Sequence, residues 1–120
     1  MSGNVVEVGD IREWQGLNVV DGTGSKIGSL EGVYFDTSTD QPAFASVKRG
    51  VPAKLVFVPL AGATVSPKQV RVTTDKKTVK DGPAIETDGE LTSELEPQLY
   101  AHYGLGYERG ASGERRLGRR

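Results

Sequence analysis

The sequence predicts a mainly β protein, a small β-barrel of about six short strands followed by a short C-terminal helix. The apolar segments are short, and 16 Gly and 6 Pro residues separate them with turns, which disfavours an all-helical bundle. Within several segments apolar and polar residues alternate with a period of two, as in half-buried strands. The length of 120 residues allows one ordinary domain.

The first two strands are predicted to form a hairpin. Residues 16–20 form the first strand, residues 26–36 form the second, and residues 21–24 supply a glycine-containing turn. The apolar residues of the second strand recur every three positions at Ile27, Leu30 and Val33. A flat strand facing one core needs a period of two, so Gly28 and Gly32 favour a strand bent by bulges, as closure of a small barrel requires.

The remaining strands are predicted at residues 42–48, 54–60, 63–65 and 69–73. The near-continuous apolar run of the fourth strand suggests burial on both faces. In the third strand Phe44 has the opposite parity to Ala45, and we expect its side chain to be exposed. The expected barrel core consists of Val19, Ile27, Leu30, Val33, Ala45, Val47, Val56, Val58, Val70 and Val72.

The barrel is expected to end with a crossing turn over residues 75–83, anchored by Val79. Leucines at helical spacing then predict a helix of roughly 10 residues. Ser93 and Glu96 match a capping box, although Pro97 also allows a start shifted toward Glu96. Such a short helix needs a docking surface. Its docking side chains, on the barrel or on a second copy, are expected to be Leu95, Leu99 and Tyr103.

The net charge is −1, but the charged residues are unevenly distributed along the chain. Residues 81–96 carry six acidic and no basic side chains, whereas residues 97–120 carry five Arg and two Glu. We therefore expect a flexible arm at residues 1–11, the barrel at residues 12–82, an acidic linker with the helix at residues 83–107, and a disordered Arg/Gly-rich tail at residues 108–120.

Catalytic, metal and cofactor sites are not expected. The chain has no Cys and a single histidine, His102, which excludes thiolate chemistry and multi-histidine metal sites. The spacing of the glycines in residues 22–28 matches neither a dinucleotide-binding loop nor a Walker loop, so a hairpin turn is the favoured interpretation. The apolar runs are far shorter than the roughly 18 residues of a membrane span, and residues 1–10 lack the features of a secretory signal. The expected location is the cytoplasm.

Three separated motifs stand in order along the chain: Trp14-Gln15-Gly16-Leu17-Asn18-Val19-Val20-Asp21, Gly24-Ser25-Lys26-Ile27-Gly28-Ser29-Leu30 and Phe57-Val58-Pro59-Leu60. These motifs resemble the PRC-barrel family, found in the photosynthetic reaction-centre H subunit and in ribosome-maturation factors. The resemblance covers roughly residues 12–107. The membrane helix of the H subunit and the second domain of the maturation factors have no counterpart here, so the chain is most similar to stand-alone bacterial PRC-barrel proteins. That form implies an adaptor or assembly module, often a dimer.

Two functional classes remain open at this point. The first is a non-enzymatic protein–protein interaction or assembly module that binds itself, as a homodimer, or another protein. The second is an RNA- or ribosome-associated factor that uses the basic C-terminal tail, which neutralisation of phosphates would support. No small-molecule substrate is identified. The expected interaction residues are Trp14, Tyr34, Phe44, Leu95, Leu99 and Tyr103.

Overall fold

The computed structural model describes residues 14–37, 39, 41–87, 89, 91–92, 94–105 and 117–119. The predicted N-terminal arm therefore lies outside the described residues. The strands of the described part are β1 (Asn18–Val20), β2 (Lys26–Asp36), β3 (Gln41–Arg49), β4 (Lys54–Pro59), β5 (Thr64–Val65), β6 (Gln69–Arg71), β7 (Ala84–Glu86) and β8 (Leu117–Arg119). Its helices are α1 (Lys76–Lys80) and α2 (Glu96–His102). The prediction of a mainly β fold with a short C-terminal helix is confirmed.

All eight strands belong to one sheet, with the order β5-β6-β1-β2-β3-β4-β7 and with β8 paired to β2. Neighbouring strands are antiparallel except for β1 and β6, which are parallel. The start of β2 pairs with β1 and its last three residues pair with β8, so two strands share one edge of β2. The register of β2 against β3 shifts between Leu30 and Gly32 and again between Tyr34 and Phe35. The prediction of a strand bent by bulges is thereby confirmed.

One side of the sheet packs on a hydrophobic cluster that we call the inner core. It contains all ten predicted core residues, together with Trp14 and Val79. Val79 is fully buried on α1, and α1 packs against β2 and β4. The predicted core is therefore confirmed, both in strands where apolar residues alternate and in the bulged strand β2, where they lie three positions apart.

The opposite side of β2, β3 and β4 carries a second cluster, which we call the outer core. Its fully or largely buried members are Tyr34, Phe44, Phe57, Leu91, Leu99, Tyr100 and Leu117. Phe44 is 1% exposed, so the expectation of an exposed side chain is wrong. The parity of Phe44 was assigned correctly, but α2 and β8 cover the face to which it points. The burial of β4 on both faces, expected from its apolar run, is confirmed.

Helix α2 begins at Glu96, and its N-cap residue Leu95 makes no side-chain cap. The start shifted toward Glu96, which Pro97 allows, is therefore the one observed, and Ser93 of the predicted capping box lies outside the described residues. The Glu96 side chain is buried. Its carboxylate accepts a hydrogen bond from the backbone N–H of Leu117, at 3.1 Å.

Two strands form where none was predicted. Strand β7 lies in the predicted acidic linker and pairs with β4, where Glu86 forms an exposed ion pair with Lys54. Strand β8 lies in the predicted disordered tail, and Leu117 is 0% exposed. The tail prediction is therefore wrong for residues 117–119, because the outer core offers an apolar contact to Leu117. Residues 108–116 and 120 lie outside the described part. Neither helix described is long and apolar enough to cross a membrane.

Candidate functional site: a basic groove

The six residues predicted to contact a partner are largely packed inside the chain. Trp14 belongs to the inner core, whereas the other five meet in or against the outer core. There the ring of Phe44 lies edge-on to that of Tyr100, with centroids 5.4 Å apart. Only Leu95 and Tyr103 of the six are partly exposed. The expected docking of the C-terminal helix on the barrel is confirmed, and a direct role of these residues in partner binding stays a prediction.

Two polar side chains of the α2 region hold this segment against the barrel. The hydroxyl of Tyr103 donates a hydrogen bond to the carbonyl of Phe57 at 2.5 Å, and burial raises the pKa of Tyr103 well above its usual range. Nε2 of His102 lies 2.7 Å from the carbonyl oxygen of Thr78. Because a carbonyl only accepts, that ring nitrogen carries the proton. Both side chains therefore serve the docking of α2.

A shallow cavity of about 480 Å³ opens where the start of β2, the end of β3, the β3–β4 turn and the start of α1 meet. We call it the basic groove. Its lining residues are Lys26, Ile27, Gly28, Ser29, Lys48, Arg49, Gly50, Ala53 and Lys76. Four of them are basic and none is acidic, so the groove favours negatively charged ligands.

The floor of the basic groove depends on a close approach of β2 and β3 at Gly28. A Cβ atom at this position would lie 2.3 Å from the carbonyl oxygen of Lys48, so no side chain fits there. Arg49 reaches across the same gap, and its Nε donates a hydrogen bond to the carbonyl of Ile27 at 3.3 Å. Gly50 then turns the chain with a φ of 89°, which glycine adopts without strain.

The carboxylate of Asp21 connects the two sides of the basic groove. Its Oδ1 accepts hydrogen bonds from the N–H and the hydroxyl of Thr23 and from the N–H of Ser25, at 2.6–3.0 Å. Its Oδ2 accepts the N–H of Lys76 at 3.0 Å. The Thr23 hydroxyl, followed by the backbone N–H of Lys76, lowers the pKa of Asp21 to about 2. Asp21 therefore stays ionised and ties the β1–β2 turn to the start of α1.

A second contact braces the same turn from the neighbouring strand. Nη1 of Arg71, on β6, donates a hydrogen bond to the carbonyl of Gly22 at 2.9 Å. The turn over residues 21–25 is thus held at both ends, and the interpretation of the glycine-rich segment as a hairpin turn is confirmed. Lys26 follows directly after this braced turn.

Sequence reasoning did not identify the basic groove, because its four cations come from three separate stretches of the chain. Only Lys48 and Arg49 are adjacent. A usable signal is the short connection between the predicted second and third strands, because an antiparallel pair joined in this way brings the start of one strand next to the end of the other. Lys26 could have been placed beside Lys48 on that basis. Among the residues described, no group of His, Asp or Glu side chains is arranged to hold a metal ion.

Comparison with protein-family models gives a match. A family model described as the PRC-barrel domain matches residues 7–79, more than half of the chain. No curated protein matches the chain. The matched region contains every residue of the inner core and of the basic groove. Strands β7 and β8 and helix α2, which cover the outer core, lie beyond its end.

Proposed function

Because this chain belongs to the PRC-barrel family, we propose that it acts in the cytoplasm as a non-enzymatic interaction module that binds a second copy of itself or another protein. One fold hosts unrelated roles, so membership alone does not give the function. The observation that carries the proposal is the basic groove, in which four basic and no acidic side chains line one open surface. Charge of a single sign around a cleft attracts a partner of opposite charge.

The framework beneath the basic groove supports a binding role. Its cations are attached to the ends of paired strands and to the start of α1, and Asp21 and Gly28 fix how these elements meet. Binding groups on rigid elements lose less entropy on association than groups on loose chain. The groove is also shallow and open, whereas small-molecule sites enclose most of their ligand and are mainly apolar. A segment of a macromolecule suits it better.

The titration behaviour of two side chains supports a non-enzymatic role. Strongly shifted pKa values in a cleft are a sign of catalytic groups. In this chain the low pKa of Asp21 and the high pKa of Tyr103 arise at groups that hydrogen-bond to backbone atoms and hold elements together. Neither side chain lines the basic groove.

Self-association is the second part of the proposal. Strands β5 and β7 stand at the two ends of the described sheet order, and each pairs with one neighbour there. An edge strand offers unpaired backbone groups to another chain. On β5 the side chain of Val65 is 38% exposed, which adds apolar contact area to that edge. We expect a homodimer that pairs through one of these edges.

The test is affinity capture with the full chain as bait, from an extract of the source cells treated with ribonuclease. We expect protein to be retained after the treatment. Sedimentation velocity on the purified chain measures self-association in parallel. A purely monomeric chain that retains no protein contradicts the proposal. Retention that disappears with ribonuclease points instead to an RNA- or ribosome-associated factor.

A further inference from the structure

We propose that the basic groove binds an acidic, extended segment of a partner protein, with carboxylates facing its lysines and a small apolar side chain against the tip of the β3–β4 turn. This inference rests on the proposed function and adds the chemistry of the partner. It depends on three features of the groove: its charge, the apolar side chain beside it and its lack of aromatic rings.

The charge of the groove is accessible to a ligand. The side chains of Lys26, Lys48 and Lys76 are exposed. Two carboxylates that lie close in sequence to Lys26 and Lys76 are engaged within the chain, since Asp21 accepts four hydrogen bonds and Asp75 accepts the hydroxyl of Thr78. The lysine ammonium groups therefore face solvent beside carboxylates that serve the turn and α1. Carboxylates of a partner are suitable ligands for them.

An apolar side chain stands beside the groove at the tip of the β3–β4 turn. Val51 is fully exposed there, and Gly28 and Ala53 line the groove among the cations. An exposed valine beside small residues gives little support to a purely electrostatic ligand such as a free polyanion. It matches a peptide in which acidic and small apolar residues occur together, because each buried apolar contact adds affinity.

The lining residues also argue against nucleic acid as the ligand. Single-stranded RNA is held by aromatic side chains on which its bases stack, combined with cations that contact its phosphates. None of the nine residues that line the groove is aromatic. The aromatic rings nearest in sequence, Phe44 and Phe57, are 1% and 0% exposed in the outer core. The groove therefore has cations that could contact phosphates, but none of its lining residues has an aromatic ring on which bases could stack.

The experiment measures fluorescence anisotropy of a short labelled peptide of Glu and Val residues with the full chain. The test variant is Lys26→Glu/Lys48→Glu, and the matched control is Lys68→Glu/Lys80→Glu. All four lysines are exposed, both variants change the net charge equally, and neither control lysine lines the groove. We expect saturable binding that weakens with salt. The test variant should lose at least about tenfold in affinity, and the control less than about twofold.

Two further arms separate the contributions. Replacing Glu by Gln in the peptide should abolish binding. Replacing Val51 by Ser should weaken the peptide complex by about threefold, whereas the control Val65→Ser should leave it unchanged. Equal losses in both charge variants, or no saturable binding of the peptide, overturn the proposal. Tighter binding of poly-uridylate RNA than of the peptide, lost in the Lys26→Glu/Lys48→Glu variant, assigns the groove to nucleic acid.

Failure of this inference and failure of the proposed function give different results. If the extract yields captured proteins and the Lys26→Glu/Lys48→Glu bait captures them equally well, the chain is an interaction module but the groove is not its binding site. If no protein is captured by any bait, the proposed function itself fails.

Discussion

Replacing Leu117 by Ala tests whether the C-terminal strand is part of the folded protein. Leu117 is 0% exposed and belongs to the outer core, and its N–H donates to the Glu96 carboxylate. Truncating a fully buried leucine costs about 2–5 kcal/mol, because the transfer free energy of the lost methyl groups is added to the cost of the cavity. We expect a loss of about 3 kcal/mol in the free energy of unfolding. A typical domain has a free energy of unfolding of about 5–15 kcal/mol, so this loss would be a large part of it.

The matched control is Leu105→Ala, the same chemical change at a side chain that is 43% exposed. Substitutions at such positions usually change stability by less than about 0.5 kcal/mol. Urea unfolding followed by tryptophan fluorescence suits the measurement, because Trp14 is 3% exposed in the inner core and its emission should change on unfolding. The dependence of the unfolding free energy on urea should be the same in both variants, since the exposed surface changes little.

Equal stabilities of the Leu117 and Leu105 variants would refute the packing of β8 on β2. Deletion of residues 117–120 provides a second measurement. It removes the pairing with the last three residues of β2 as well as the leucine side chain, so it should cost at least as much as Leu117→Ala. A deletion without effect on the free energy of unfolding would support the expectation of a disordered tail instead.

Three further predictions concern single side chains. Asp21→Asn should lower the urea midpoint at pH 7. Because the pKa of Asp21 is lowered to about 2 in the folded protein, the ionised carboxylate stabilises the fold fully above the pKa of the unfolded chain and loses this effect as the pH falls through the folded pKa. The difference from wild type should therefore shrink as the pH falls from about 4 to 2, and a difference independent of pH contradicts this. Gly28→Ala should lower the free energy of urea unfolding by about 1–3 kcal/mol, because the new methyl group meets the carbonyl of Lys48. The control Gly22→Ala should be nearly neutral, because a methyl group at that position meets no atom within 4 Å. Tyr103→Phe should lower the free energy of unfolding by about 0.5–1.5 kcal/mol at pH 7, because its hydrogen bond to Phe57 is lost. This difference should decrease as the pH rises above 10, because the raised pKa of Tyr103 makes the stability of the wild type decline there. Circular dichroism melts of both proteins across this pH range test the prediction.

The inner core could be predicted from the sequence because the strands alternate, and alternation assigns each residue to a face. Ala45 and Val47 were placed correctly on this basis, and Val33 was placed through the bulges expected in the second strand. The alternation does not show whether the opposite face of the sheet is exposed to solvent or covered by other elements. Phe44 was misassigned because the residues that cover it, such as Leu99 and Leu117, lie more than fifty positions further along the chain.

The basic groove and the C-terminal strand escaped prediction for a related physical reason. Lys26, Lys48 and Lys76 lie in different segments, each with an unremarkable charge, and only the folded sheet brings them to one surface. Residues 117–119 have too few apolar side chains to fold alone. Their order comes from one leucine that fits an existing apolar site, and the local sequence carries no sign of that site.

The two cores have a consequence for how the strands find their alignment. Polarity usually fixes register, since a shift by one residue moves apolar side chains into water. Strand β3 is buried on both sides at its centre, so a shift there would not expose its apolar residues. Size distinguishes the faces instead: Ala45 pairs with Val33 and Val58 on the inner side, whereas Phe44 and Tyr34 lie on the outer side. A misaligned β3 would force the Phe44 ring into a space shaped for alanine, so steric volume selects the alignment of the central strands.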